Sequence, residues 1–312
     1  MDETQVPFPL RFGEGLLRMV GGGSDHRTRG ISQYRAIVCV LSGSPTYALL
    51  SIAAVVASAL VWDRFFRRRA APRDGRLALV FIAALSGAFL GAKIAFLVAE
   101  GWHQRGDWMA LLSGRSVTGA LIGGTLAAEF AKWCLRVRTA TGDAFAITVP
   151  LAVAIGRVGC VSAGCCQGLE CEPSWFTVLD AHGHARFPSA QLELAFNLAF
   201  LAWSLAAGRF GWMATQRFNA YLVCYGVFRF VHEYWRDDHR WFDEFGGYHL
   251  AALCVAALGV AMMVRRRRLN REDAARERPA RGGPVLEGPV LEGPVREGPV
   301  REATIRTGPP AA

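Results

Sequence analysis

Residues 77–99 read LALVFIAALSGAFLGAKIAFLVA, an apolar run that carries a single charge, Lys93. About 20 such residues, wound as a helix, cross the hydrocarbon core of a bilayer, so this stretch reads as a membrane span. Six others are apolar over similar lengths: 45–62, 117–135, 143–162, 187–207, 217–235 and 247–264. Short loops join them and leave no room for a second globular domain. The expected fold is therefore all-α, a polytopic integral membrane protein of about seven transmembrane helices over residues 45–264. Composition agrees, with 52% hydrophobic and 20% charged residues against about 25% charged in soluble domains. Mean hydropathy is +0.22.

The net charge of +9 is almost all arginine. A basic chain can bind nucleic acid, but these arginines bracket the apolar segments, so membrane lipids and no nucleic acid are the expected partners. Short cytoplasmic loops hold the excess of Lys and Arg. The loop after the first span holds Arg64, Arg67, Arg68, Arg69, Arg73 and Arg76, and the loop after the third holds Lys132, Arg136 and Arg138. The last span runs into Arg265–Arg268, whereas 163–186 has only Arg186. That bias puts the C-terminus in the cytoplasm and the N-terminal tail, 1–44, outside. Arg11, Arg18, Arg27, Arg29 and Arg35 of the tail run against the rule. No cleavable signal peptide is expected, because the first 40 residues lack the short apolar core of one. The tail 265–312 is expected to be basic, then disordered: four pentapeptides, GPVLE, GPVLE, GPVRE and GPVRE, fill 283–302, and a proline at every fifth position forbids a regular helix.

Ionisable groups at bilayer depth cost on the order of 3 kcal/mol or more and need a partner or a function. Lys93, Glu129, Asp143, Arg157, Glu193 and Arg229 fall within the spans. Tyr225, Arg229 and Glu233 recur at four-residue spacing and share one helical face, as do Glu193 and Asn197. Two readings follow. Arg157 and Arg229 grip an anion such as a lipid phosphate with their planar forks, or they neutralise Glu129, Glu193 and Glu233 in structural pairs. Lys93 can snorkel toward the outer interface. Gly87, Gly91, Gly119, Gly123 and Gly124 permit close helix contact.

Four of the eight cysteines, Cys160, Cys165, Cys166 and Cys171, cluster at the outer end of the fourth span. In an oxidising compartment this favours disulfides, and at least one bridge is expected. Other readings are a metal site that uses His182 and His184 or a reactive thiol.

The segment GRVGCVSAGCCQG (156–168) resembles the G-R-x-G-N-F-x-N-G-E-x-x-G motif of the prolipoprotein diacylglyceryl transferase family. DAFAITVP (143–150), PSAQLELAFNL (188–198), YGVFRFVHEYWR (225–236), GALIGG (119–124) and GAKIAF (91–96) are similar to its other motifs, in the same order, over residues 45–265. The resemblance implies that 45–264 is a membrane transferase domain of the bacterial plasma (inner) membrane. It implies transfer of diacylglyceryl from phosphatidylglycerol to the lipobox cysteine of a prolipoprotein signal peptide, at the outer leaflet. Glycerol phosphate leaves, and no cofactor or metal is implied. Arg157 and Arg229 fall on the family's catalytic arginines, and Asp143, Gly164, Gly168, Glu193, Tyr225 and Glu233 on its substrate-binding positions.

There are departures. Thr118 stands at the family's histidine, a proton acceptor for the incoming thiol, and threonine is no base near neutral pH. Cys160 and Cys165 replace the motif's asparagine and glutamate, Leu192 a tyrosine, and Lys93 an arginine. The alternatives are a same-fold paralogue with another acceptor, or a non-enzymatic or thiol-redox membrane protein that uses the cluster from Cys160 to Cys171.

Overall fold

The computed structural model describes residues 45–68, 75–103, 111, 114–180, 182–236, 238, 240, 241 and 245–277. The expectations for the tail 1–44 and for the repeats at 283–302 lie outside the described residues. Within them, seven α-helices of sixteen or more residues follow the expected spans: α1 (Pro45–Arg68), α2 (Gly75–Ala99), α3 (Val117–Cys134), α4 (Gly142–Ser162), α5 (Ser189–Phe210), α6 (Arg217–His232) and α7 (Gly247–Glu277). Between α4 and α5 lies the one paired sheet among the described residues, β1 (Val178–Leu179) antiparallel to β2 (Ala185–Arg186).

Five helices are long and apolar enough to cross a membrane: α1, α2, α4, α5 and α7. The other two fall short, so the expected count of seven does not follow from length and apolarity alone. α6 has 16 residues, which at 1.5 Å each span about 24 Å. A 3-10 turn, Glu233–Trp235, continues it. α3 has 18 residues but carries Glu129 and Lys132. α7 continues through the arginines at 265–268 as helix, past the end of its apolar run. The helical body closes at Leu269, and of the unit from Asn270 onward the described part is the end of α7.

α2 packs on α3 through backbone contact. A Cβ on Gly91 would lie 2.8 Å from the Gly123 Cα, and one on Gly124 would lie 3.1 Å from the Ala84 carbonyl oxygen. The Ser116 amide, just before α3, donates to the Ala92 carbonyl of α2 at 3.1 Å. α4 is the central helix, in contact with α1, α5 and α6. Half of its apolar window is buried, against 22–33% in the other spanning helices. Trp62, Phe66, Leu121, Phe145, Phe218, Tyr221 and Tyr225 fill the core around it. Ile82, Phe89, Leu90 and Ile94 of α2 are each more than half exposed. In water such a face would be a large apolar liability; in a bilayer it meets acyl chains. The chain is a multi-pass, all-α membrane protein.

Candidate functional site

The last turns of α4 carry Arg157 against Glu193 of α5. The Arg157 Nη2 lies 2.8 Å from both Glu193 carboxylate oxygens. The Tyr225 hydroxyl of α6 donates to Glu193 Oε1, also at 2.8 Å. Three helices therefore converge on one carboxylate that is fully buried. One turn along, Asn197 donates to the Glu193 carbonyl at 2.7 Å and accepts from the Tyr221 hydroxyl at 2.8 Å. This ladder fixes the carboxylate, and the carboxylate fixes the guanidinium. A guanidinium carries five N–H donors; Nη2 serves Glu193, while Nη1 points at the Cys160 Sγ, 3.8 Å away.

A second group stands at the end of α6. Arg229 pairs with Glu233, one turn on, and lies 3.7 Å from Asp238. Arg236, outside the residues expected to act, donates to Asp238 at 2.7 Å and to the Ser189 hydroxyl at 3.5 Å. Burial opposes ionisation of Asp238, but Arg236 and Arg229 override it and hold the carboxyl well below its usual range. Arg157, Arg229 and Arg236 all act electrostatically on Glu193, so the two expected arginines and a third share one site. The ion-pair alternative is realised at Glu193 and Glu233, where it pre-positions the guanidiniums, but not at Glu129, which pairs with Lys132 and Arg265. Ser189 also meets His232 Nε2 at 3.2 Å, and the ring of His232 stacks on Phe228.

The cysteines take a different form from that expected. All seven described cysteines are free, so the anticipated disulfide is absent among them. Instead the sulfurs of Cys160, Cys165 and Cys166 lie within 4.8 Å of one another. The cause is local. α4 ends in a Schellman motif, with Gly164 at φ +62°, its amide on the Val161 carbonyl, and the Cys165 amide on the Cys160 carbonyl at 3.0 Å. That motif seats Cys165 beside Cys160, and Cys166, itself at φ +58°, turns its thiol back onto both. Hydrogen bonds from the Cys160 and Cys165 thiols, reinforced against burial by Arg157 and Arg236, hold the Cys166 thiol well below the ordinary range. At Gly164 an added Cβ meets nothing within 4 Å, so only backbone conformation opposes it. Gly164→Ala is expected to cost about 1–2 kcal/mol, read as a lowered unfolding temperature in detergent.

Gly168 closes the loop onto the site. Its amide donates to the Phe187 carbonyl at 2.9 Å, and the Leu169 amide to the Trp235 carbonyl at 2.9 Å. A side chain on Gly168 would strike that Trp235 carbonyl. Thr118 is buried and held by the Ser116 hydroxyl at 2.7 Å, and Ser116 caps α3. His182 and His184 sit in the β1–β2 turn around Asp180, whose carboxylate accepts both their amides, and the three-thiol group does not include them. Lys93 reaches the Gly114 carbonyl at 3.5 Å. Glu129 pairs with Lys132 and, at 3.1 Å, with Arg265.

Asp143 is not brought to this group. It lies in the first turn of α4, fourteen residues and so about 21 Å from Arg157 along the helix. There it pairs with Arg217 at 2.6 Å. A cavity of about 300 Å³ lies along α1–α4, lined by Phe81, Leu121, Phe145, Val149 and Val153 and also by Lys132, Arg265 and Arg266. Arg157 does not line it, but Val153 stands one helical turn from Arg157.

A family model described as prolipoprotein diacylglyceryl transferase matches residues 44–265. The chain is similar to phosphatidylglycerol–prolipoprotein diacylglyceryl transferase 2 of Clostridium perfringens (strain 13 / Type A), 25% identical over 208 residues, covering 62% of this chain and 80% of that protein. It is also similar to phosphatidylglycerol–prolipoprotein diacylglyceryl transferase of Clostridium tetani (strain Massachusetts / E88), 24% identical over 208 residues, with 62% and 81% covered.

Proposed function

Because the chain belongs to the prolipoprotein diacylglyceryl transferase family, we propose that it transfers diacylglyceryl from phosphatidylglycerol to the lipobox cysteine of a prolipoprotein signal peptide. The observation that carries this reading is the buried group in which Arg157 of α4 and Tyr225 of α6 meet Glu193 of α5, with Arg229 of the same α6 face held by Glu233. Cationic donors fixed before the reaction stabilise charge that develops in the transition state. Here that charge is the phosphate of the departing glycerol phosphate. Arg157 and Arg229 carry the catalysis; Glu193, Tyr225 and Glu233 hold them in place, and Gly164 and Gly168 shape the loop that covers the headgroup. In this reading the site faces the outer leaflet of the bacterial inner membrane and the C-terminus lies in the cytoplasm, an orientation that the arginine bias of the loops supports.

The test uses the purified full chain, phosphatidylglycerol labelled in its acyl chains and a synthetic lipobox peptide with one free cysteine. A diacylglyceryl mass gain on the peptide is expected. No gain from protein that binds the lipid would overturn the reading and point to another acceptor.

A further inference from the structure

We propose that Cys160, Cys165 and Cys166 bind one zinc ion through three thiolates, and that its fourth position takes the acceptor cysteine and activates it as a thiolate. The inference rests on the transfer reading above for its second half only.

Three observations carry it. The three sulfurs already lie within 4.8 Å of one another. Zinc–sulfur bonds of about 2.3 Å place tetrahedral ligands roughly 3.8 Å apart, so closure needs shifts of about 1 Å. Second, the number is odd. A disulfide would consume two thiols and leave the third beside it, whereas a zinc site that keeps one open position wants three protein ligands. Third, the cluster is built by backbone. The Schellman turn at Gly164 sets Cys165 against Cys160, and Cys166 accepts a left-handed φ of +58° to complete the group. A non-glycine residue in that region carries strain that the surroundings must hold. Cys160 and Cys165 are buried and Cys166 is half-buried.

The electrostatics suit this use. Three thiolates and a divalent cation leave one net negative charge, and the Arg157 Nη1, 3.8 Å from the Cys160 Sγ, offsets it. A thiol bound at the fourth position is deprotonated outright, its proton passing to water. The chain therefore needs no side-chain base, which Thr118, tied to Ser116, does not supply. The bound sulfur attacks the carbon of the diacylglyceryl group that bears the phosphate ester, so that glycerol phosphate leaves. A C–S bond forms and the C–O bond breaks, the electron pair leaving on the phosphate oxygen beside Arg157. No oxidation state changes.

The experiment starts from full-length protein purified without chelator. Elemental analysis should find about one zinc per chain, falling to under about a tenth in Cys160→Ser, Cys165→Ser and Cys166→Ser and unchanged in Cys171→Ser. Protein stripped by chelator and reloaded with Co2+ should show a thiolate charge-transfer band, and the lipobox peptide should shift it where a cysteine-to-serine peptide does not. Transfer should vanish on stripping and return with zinc, a route that needs no substitution to fold. Transfer by metal-free protein would overturn this inference and leave the transfer reading intact. Zinc-loaded protein that transfers nothing would defeat the transfer reading, and with it the role of the fourth position. A cobalt band blind to the peptide thiol would overturn the activation directly.

Discussion

Arg157→Ala is expected to lower diacylglyceryl transfer by at least about 10²–10³-fold, the usual cost of deleting one pre-positioned donor. The substitution has a second effect that must be separated from the first. Glu193 is fully buried, and removing its partner leaves a carboxylate whose one remaining close side-chain donor among the described residues is the Tyr225 hydroxyl at 2.8 Å. Breaking a buried pair from one side costs about 3–5 kcal/mol, enough to mimic lost activity by lost folding. The double variant Arg157→Ala with Glu193→Gln removes the stranded charge. Its unfolding temperature in detergent should recover toward wild type while transfer stays lost. Arg157→Lys keeps the charge without the planar fork and should fold yet transfer at least about tenfold more slowly. If the double variant regained transfer to within about tenfold of wild type, Arg157 would be a structural ion-pair partner and nothing more.

Much of this site was legible because helical periodicity makes faces readable. The four-residue spacing of Tyr225, Arg229 and Glu233, and of Glu193 and Asn197, put each set on one stripe, and the structure turns both stripes inward. The glycines of α2 and α3 were legible for the same reason: small residues at regular spacing have one common use between membrane helices. What periodicity does not encode is which stripe meets which. The pairing of Arg157 with Glu193, and of Ser189 with His232, depends on how α4, α5 and α6 cross. Arg236 and Asp238 lie beyond the end of the helix, where spacing no longer predicts neighbours. The cysteines differ from expectation for a related reason. Their spacing points to a bridge if the compartment is oxidising, but the deciding feature is the helix cap at Gly164, which brings the thiols into a group of three. Asp143 was placed by its motif; fourteen residues of helix between it and Arg157 already set the two far apart.

Asp143→Asn is expected to destabilise the protein by about 3–5 kcal/mol and to leave transfer by the folded fraction unchanged. Asp143 and Arg217 are both almost wholly buried, 1% and 3% exposed, and pair at 2.6 Å. The same carboxylate accepts the Thr215 amide at 3.1 Å, and Arg217 also donates to the Ser204 carbonyl at 3.3 Å. The pair therefore fastens the start of α4 to the start of α6 and to the end of α5. Its carboxylate also lies at the N-terminus of α4, where the helix dipole favours negative charge. Thermal unfolding in detergent gives the stability, and transfer measured well below the transition gives the rate. The double variant Asp143→Leu with Arg217→Leu should be less destabilised than either single change, since no charge is left stranded in the interior. A raised KM for phosphatidylglycerol in Asp143→Asn at a temperature where it is fully folded would show instead that the carboxylate meets the lipid. The contrast with Arg157 lies within a single helix: at one end loss of the partner is expected to stop the chemistry, and at the other to loosen the bundle that holds the site in place.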